Sequence, residues 1–434
     1  MMRYYLANNF VLKRLETPAL YDIKGDELYE LDETAFEFLK KCGDYGGCSG
    51  DGADKEFLVY CISEGILSET LVSVRIPHAG FPAVPSVFPS LRYLELQITD
   101  RCNLRCRHCY IDNAEQNELS SVVIRDLLDE FELMQGLRLL ITGGEPLAHS
   151  DFDSINGLLP GYGFRKILFT NGLLLDKEAM RTLNVDEIQF SVDGMERGHD
   201  ALRGEGTYKK VMKSLEDAEA LGMAVSVASM VHGENVGEFP AMEALFKDMG
   251  IKDWTVDVPC ITGHLKQNAP FHVPPSEAGQ YLNYGFGGGL HGGGDGYACG
   301  LHLLSVLANG AVAKCAFYAG YPLGTVGEGL RKCWGRLKPV KLGALQCAGI
   351  HCPVIEACRG GCRFRASNTP EYHLREAPGP EIQIEEPQNR MDIYKCFAYG
   401  IITISGGGSQ ARGRPPGVSE LYAGRNGLLI KGGV

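Results

Sequence analysis

From Leu91 to about Pro259 the sequence alternates between short apolar strand patterns and amphipathic helical ones, and nothing else in the chain restricts its fold as much. Strand patterns fall at 92–98, 137–142, 166–170, 187–192, 223–231 and 251–257, with helix patterns at 119–135, 176–183, 207–221 and 236–249. Strands joined by helix-length crossovers run parallel under a cover of helices. Six of them predict an α/β fold built as an open, partial barrel. In barrels of this kind the loops at the C-terminal strand ends carry the chemistry. The first strand shows its period of two plainly, with Leu94, Leu96 and Ile98 alternating with Glu95 and Gln97. It runs into ITDRCNLRCRHCY, which places Cys102-x3-Cys106-x2-Cys109 on a single loop.

Three thiolates can hold three irons of a [4Fe-4S] cubane and leave the fourth iron open to a substrate or cofactor. A zinc knuckle is the competing reading. It needs a fourth ligand, and only His108, pinned between two of the thiols, is near. The later strand ends also carry chemistry. After the second comes Thr142-Gly143-Gly144-Glu145-Pro146, in which two glycines allow close backbone approach and a carboxylate can accept from an ammonium group. The third ends in Thr170-Asn171-Gly172 and the fourth in Ser191-Val192-Asp193-Gly194, followed by a loop from His199 to Arg203-Gly204-x-Gly206-Thr207-Tyr208. Together these motifs resemble the radical S-adenosylmethionine (SAM) superfamily. The resemblance implies a partial (β/α)6 TIM-type barrel and a [4Fe-4S] cluster on Cys102, Cys106 and Cys109 whose open iron chelates SAM. It implies that Gly143, Gly144 and Glu145 meet the methionine amine, and that Thr170, Asn171, Ser191 and Asp193 face the ribose and carboxylate. Arg203 suits the SAM carboxylate because a guanidinium binds it bidentately; a surface ion pair is the alternative. Asn235 and Gly263-His264 follow the fifth and sixth strands, where substrate or adenine contacts are expected.

Residues 1–72 read as a separate unit of three strands (Tyr4 to Leu12, Ala19 to Ile23, Glu27 to Leu31) and two helices, the first capped by Asp32 and the second over Lys55 to Gly65. GDELYELDETAFEFL followed by LVYCISEGIL resembles the PqqD-like, winged-helix peptide-recognition domain of peptide-modifying radical enzymes. That resemblance implies a leader peptide added to an edge strand; a packing or dimerisation domain is the alternative. Cys42, Cys48 and Cys61 show no ligand spacing and read as structural or free thiols. Residues 73–90, with four prolines, read as a linker to a core of 91–265.

The region 290–400 is rich in cysteine. Cys299 and Cys315 flank a hairpin turning at Asn309-Gly310, and Cys347-x4-Cys352-x5-Cys358-x3-Cys362 and Cys396 follow. The pattern resembles the SPASM extension, departing from it at Cys347, where two residues usually precede the next cysteine. The resemblance implies two auxiliary [4Fe-4S] clusters, an outer one on Cys347, Cys352, Cys358 and Cys396 and an inner one on Cys299, Cys315 and Cys362. A pair of zinc ribbons is the structural alternative. No cysteine directly precedes Cys299 to complete the inner set; Cys260, Cys333, Asp295, His291 or a water remain for that place. An open inner iron would take a substrate thiolate and favour thioether formation. Residues 401–434, rich in Gly, Ser, Arg and Pro, read as a loose tail.

The 434 residues carry a net charge of −12 with no basic run, which argues against nucleic acid as a partner. No stretch of about 20 apolar residues spans a membrane, and no signal-peptide core opens the chain, so a cytoplasmic location is expected. Fifteen cysteines in a reducing compartment point to metal ligation rather than disulfides. The resemblances together imply a radical SAM enzyme that crosslinks a ribosomally made precursor peptide with a leader sequence, served by a reductant such as ferredoxin or flavodoxin. A maturase for a cofactor or another enzyme is the competing enzymatic reading, and an iron–sulfur electron-transfer protein the non-enzymatic one.

Overall fold

The computed structural model describes residues 2–44, 46–51, 53–70, 85–111, 115–287, 296–349, 351–352, 355–368, 422–424 and 427–431. Its N-terminal unit is an antiparallel meander, β1 (Phe10–Arg14), β2 (Pro18–Asp22) and β3 (Glu27–Glu30), packed with helices α1 (Glu33–Gly43) and α2 (Lys55–Ser63). Local chemistry sets the boundaries. Asp26, at φ 58°, turns β2 into β3. Asp32 accepts from Ala35 N at 2.7 Å and Asp54 from Glu56 N at 2.9 Å, so each helix starts on a carboxylate cap. Phe36 and Leu39 of α1 are fully buried with Phe10, Leu20 and Tyr29 of the sheet. Cys42 and Cys48 form a disulfide, where the sequence suggested structural or free thiols; Cys61 is a buried thiol. The bonded pair is brought together because the chain returns after α1 to bridge Tyr4, whose N–H donates to Cys48 O at 2.9 Å.

The core contains the expected parallel strands, β4 (Tyr93–Thr99), β5 (Arg138–Gly143), β6 (Arg165–Thr170), β7 (Glu187–Ser191), β8 (Val225–Met230) and β9 (Trp254–Asp257), side by side in chain order. The crossovers carry α3 (Ser121–Leu133), α4 (Phe152–Leu158), α5 (Lys177–Thr182), α6 (Glu196–Arg203), α7 (Thr207–Ala220) and α8 (Phe239–Asp248). Two of these, α4 and α6, had no counterpart in the sequence patterns, and α6 replaces the loop expected at His199–Arg203. It stops at Gly204, whose φ of 122° ends the helix. On the other side of β4 the sheet continues through β10 (Leu303–Val306), parallel to β4, and antiparallel β11 (Ala311–Ala313) and β12 (Gly324–Thr325). The order is therefore β9-β8-β7-β6-β5-β4-β10-β11-β12, an open sheet curved as a partial barrel rather than a closed one. Leu94, Leu96, Leu139, Ile141 and Phe131 form one apolar core, and Phe190, Val227, Phe239, Phe246 and Trp254 a second.

The N-terminal unit sits at the N-terminal ends of the barrel strands. Asp26 pairs with Arg138 at 2.6 Å, Glu16 pairs with Arg92 at 2.7 Å, and Arg165 donates to Ile23 O at 2.6 Å. Near the end of the chain, β13 (Tyr422–Gly424) and β14 (Gly427–Lys431) extend the N-terminal sheet. Ile430 lies opposite Glu30 and Lys431 opposite Tyr29, so part of the segment read as a loose tail pairs with the outer edge of β3.

Candidate functional site

The three-cysteine loop leaves β4 after Thr99 and folds back over the end of β5. Gly144 N donates to Thr99 O at 2.9 Å and Glu145 N to Arg101 O at 2.8 Å. A Cβ on Gly143 would lie 2.3 Å from Thr99 O, and one on Gly144 2.4 Å from Arg101 O. The glycine pair is thus required by the cysteine loop itself, not only by a ligand, as the sequence suggested. Asn171 ties down the other side, its Nδ2 donating to Asn103 Oδ1 at 2.8 Å and lying 4.0 Å from Cys102 Sγ.

Glu145 is wholly buried behind this loop. Its carboxylate accepts from Thr170 Oγ1 and Asn171 N, both at 2.8 Å, and from Leu147 N at 3.3 Å. Burial pushes its carboxyl up to about 7, against these donors and Arg203. The structure therefore gathers Gly143, Gly144, Glu145, Thr170 and Asn171 against the three cysteines. Ser191 ends β7, and Asp193 lies two residues beyond it.

Asp193 and Arg203 form a buried ion pair; Asp193 also accepts from Met230 N at 2.7 Å. Burial pushes the Asp193 carboxyl up, but Arg203, nearby imidazoles and the Met230 N–H hold it well below the usual range. Arg203 Nη1 is 3.9 Å from Cys106 Sγ, so its charge stands beside a thiol as well as a carboxylate. Burial raises the Cys106 thiol, and that guanidinium opposes the rise. Sequence reasoning left Arg203 between a SAM contact and a surface ion pair; its ion pair is a buried one.

Three histidines surround Asp193, which a lone-histidine pattern could not announce. His232 and Asn235 Nδ2 both bond Asp193 O, at 2.9 and 2.8 Å, so Asn235 braces backbone rather than facing a ligand. His199 Nδ1 accepts from Asp193 N at 3.1 Å. Burial brings the imidazole of His108 down to about 3 and that of His199 to about 4, keeping both neutral. His108 Nδ1 and His199 Nε2 are buried and make no hydrogen bond. His264 closes the loop from the far side, its Nδ1 3.0 Å from Cys106 O and its N–H donating to Cys109 O at 2.9 Å. Beside it opens a cavity of about 520 Å³ lined by Arg105, Arg107, Arg203, Glu205, His264 and neighbours.

Among the described residues no group of three or more His, Cys, Asp or Glu side chains converges as a site for one metal ion. A cubane asks for something different, since each thiolate takes its own iron. Cys102, Cys106 and Cys109 share one loop, lie within electrostatic reach of one another, and have a cation beside them. The donor set fits such a group.

A second gathering of thiols lies beyond β10. Cys299, Cys315 and Cys362 act electrostatically on one another. Cys362 heads the helix α9 (Arg363–Asn368), and Cys260 follows β9. Cys260 and Cys362 are within hydrogen-bond reach, which draws the Cys362 thiol down against burial. Rings of Tyr110, Phe317 and Phe364 connect the two gatherings, at centroid spacings of 5.3 and 5.6 Å. Cys352 and Cys358 are half-buried. The Cys347 side chain and the whole of Cys396, His291 and Asp295 lie outside the described residues. Cys333 is core, its sulfur 3.7 Å from Thr325 O.

The sequence model of the radical SAM superfamily matches residues 96–246. The Fe-coproporphyrin III synthase of Methanosarcina barkeri is 28% identical over 158 residues, 35% of this chain and 40% of that protein. The mycofactocin maturase MftC of Mycobacterium ulcerans is 31% identical over 159 residues, covering 35% and 43% respectively. The chain thus spans less than half the length of these two relatives. Among solved structures, Streptococcus suis SuiB superposes with a TM-score of 0.63 at 15% identity, over 90% of this chain and 99% of that one. SuiB bound to its precursor peptide SuiA gives 0.60 at 14% identity, over 84% and 96%. At such identities the likeness is one of fold. No helix among the described residues is long and apolar enough to cross a membrane.

Proposed function

We propose that this chain is a radical SAM enzyme that modifies a ribosomally made precursor peptide. The observation that carries the reading is the cysteine loop folded over Gly143-Gly144, with the buried Glu145 carboxylate behind it. Cys102, Cys106 and Cys109 would hold the [4Fe-4S] cluster. When bound, that cluster supplies the electron that splits SAM and yields the 5′-deoxyadenosyl radical. Arg203 offsets negative charge at Cys106. Glu145, ionised, accepts from the SAM ammonium, while Thr170 and Asn171 hold its two oxygens in place. Ser191 and the backbone beyond it border the ribose. The burial of Asp193 and its histidines keeps water from beneath the site.

Cys299, Cys315 and Cys362 would hold an inner auxiliary cluster, and Cys347, Cys352, Cys358 and Cys396 an outer one, with ferredoxin or flavodoxin as the external reductant. The N-terminal unit serves as a PqqD-like recognition domain for the leader. The likeness to the maturase MftC and to the fold of SuiB bound to its precursor peptide supports a peptide substrate; the modification we propose is a crosslink, a thioether among them. The likeness to Fe-coproporphyrin III synthase favours a second reading, cofactor biosynthesis. Mass spectrometry separates the two after incubation with SAM, dithionite, an iron porphyrin and a candidate precursor peptide that carries a leader sequence. Loss of two hydrogens from the peptide, with 5′-deoxyadenosine formed, is the expected result. An unaltered peptide beside a consumed porphyrin would overturn it.

A further inference from the structure

The inner auxiliary site has three cysteines from its own region and one place to fill. We propose that Cys260, from the loop after the last barrel strand, is the fourth ligand of that iron–sulfur cluster, so that no inner iron is open to substrate. The proposal rests on the auxiliary-cluster reading above.

The Cys260 thiol lies within hydrogen-bond reach of Cys362, which itself lies with Cys299 and Cys315. Two segments far apart in sequence are fastened at this point. Arg365, three residues after Cys362, donates to Asp257 Oδ1 at 2.6 Å and to Val258 O at 2.8 Å, and its N–H reaches Cys362 Sγ at 3.4 Å. Cys260 is therefore held against the cysteine set by two charge-assisted anchors, not by chance packing.

The bland alternative is a buried cysteine acting as a small hydrophobe. Cys260 is 5% exposed, yet it belongs to neither of the apolar clusters formed by the neighbouring strand and loop residues. Arg365, Asp257 and the Cys362 thiol stand beside it instead, and the cysteines it adjoins through Cys362 have a buried cation near them. Lys314 is 8% exposed and makes no ion pair with a carboxylate among the described residues, its ammonium standing near Cys299 and Cys315. The Tyr318 hydroxyl, close to the same thiols, is buried and makes no hydrogen bond. A buried cation and an unused donor are costly unless an anion joins them. A four-thiolate cubane is such an anion. Cys333, the other spare cysteine weighed for this place, packs against Thr325 in the core between α3 and the β11–β12 edge.

With its fourth place filled, the inner cluster relays electrons, and a substrate sulfur bonds carbon without first binding iron there. The test uses the full chain carrying Cys102→Ala, Cys106→Ala and Cys109→Ala, reconstituted anaerobically, with iron counted and paramagnetic resonance recorded after mild ferricyanide oxidation. A cubane with an iron lacking a protein thiolate loses that iron and shows a three-iron signal. The expected result is about eight irons per chain, four per cubane, and no three-iron signal until Cys260→Ala is added. The added change should then yield about one three-iron cluster per chain, and 2-mercaptoethanol should suppress it by taking the vacated place, which a folding defect would not allow. Cys333→Ala should behave as the parent. A three-iron signal already present with Cys260 intact, or none after its removal from a chain that keeps its iron, overturns the proposal. A parent chain without iron removes the auxiliary-cluster reading itself, and the count tells that failure apart. Should Cys260→Ala fail to accumulate, Cys260→Ser, which keeps the volume, must show a signal altered from the parent, and an unaltered one refutes ligation.

Discussion

Glu145 is the residue at which environment and chemistry meet most closely. A carboxyl sealed behind the cysteine loop is disfavoured as an anion by burial, and its three donors offset that only in part, leaving it near 7. An ammonium group binds the ionised form alone. Its charged neighbours are Arg203 and the Cys102 thiol, and of the two only the guanidinium favours ionisation. Ionised fraction then rises from about a tenth at pH 6 to about nine-tenths at pH 8. SAM should bind about tenfold tighter at the higher pH, and Glu145→Gln should flatten that slope and weaken binding ten- to a hundredfold, roughly the worth of a charged hydrogen bond. A pH-independent SAM affinity in the unaltered chain would refute this role. The glycines before Glu145 were legible as places of close approach, although it is Thr99 O and Arg101 O that approach them. His108, His199 and His232 were not legible as a group, because they come from three separate loops and helices and share no spacing.

At the scale of elements, the paired edge of β3 bears on the leader peptide. An added strand needs a free row of backbone donors and acceptors, and β14 already occupies that row at Glu30 and Tyr29. Leader and tail therefore compete if the leader adds there. Removing residues 421–434 should tighten leader binding several-fold, read by fluorescence anisotropy with a labelled leader. Unchanged or weaker binding would move the leader to another surface. The tail strand was illegible because Gly427 to Lys431 has no alternation of its own and gains its pairing from a partner about 400 residues earlier. The barrel strands, by contrast, were found within about three residues of their ends, since period-two patterns between helices are local signals. The short helix α6 was missed because Glu196 to Arg203 has few apolar residues to show a helical period.

Over the whole molecule, the N-terminal unit and the cysteine loop lie at opposite ends of the barrel strands. The N-terminal unit is pinned by Asp26 and Glu16 to Arg138, Arg165 and Arg92 at the strand starts, while the cysteine loop lies at the strand ends. If the N-terminal unit holds the leader, as proposed, the peptide must run the height of the barrel to reach the site. No sequence pattern foretold that placement, for it depends on ion pairs between residues some 70 to 140 positions apart. The central claim, SAM cleavage at the three-cysteine loop, is tested most directly by 5′-deoxyadenosine formation under dithionite in the reconstituted chain and in its Cys102→Ala, Cys106→Ala, Cys109→Ala variant. The account predicts formation in the first, and none in the second although that variant keeps its auxiliary iron. Cleavage that persists in the triple variant would contradict it.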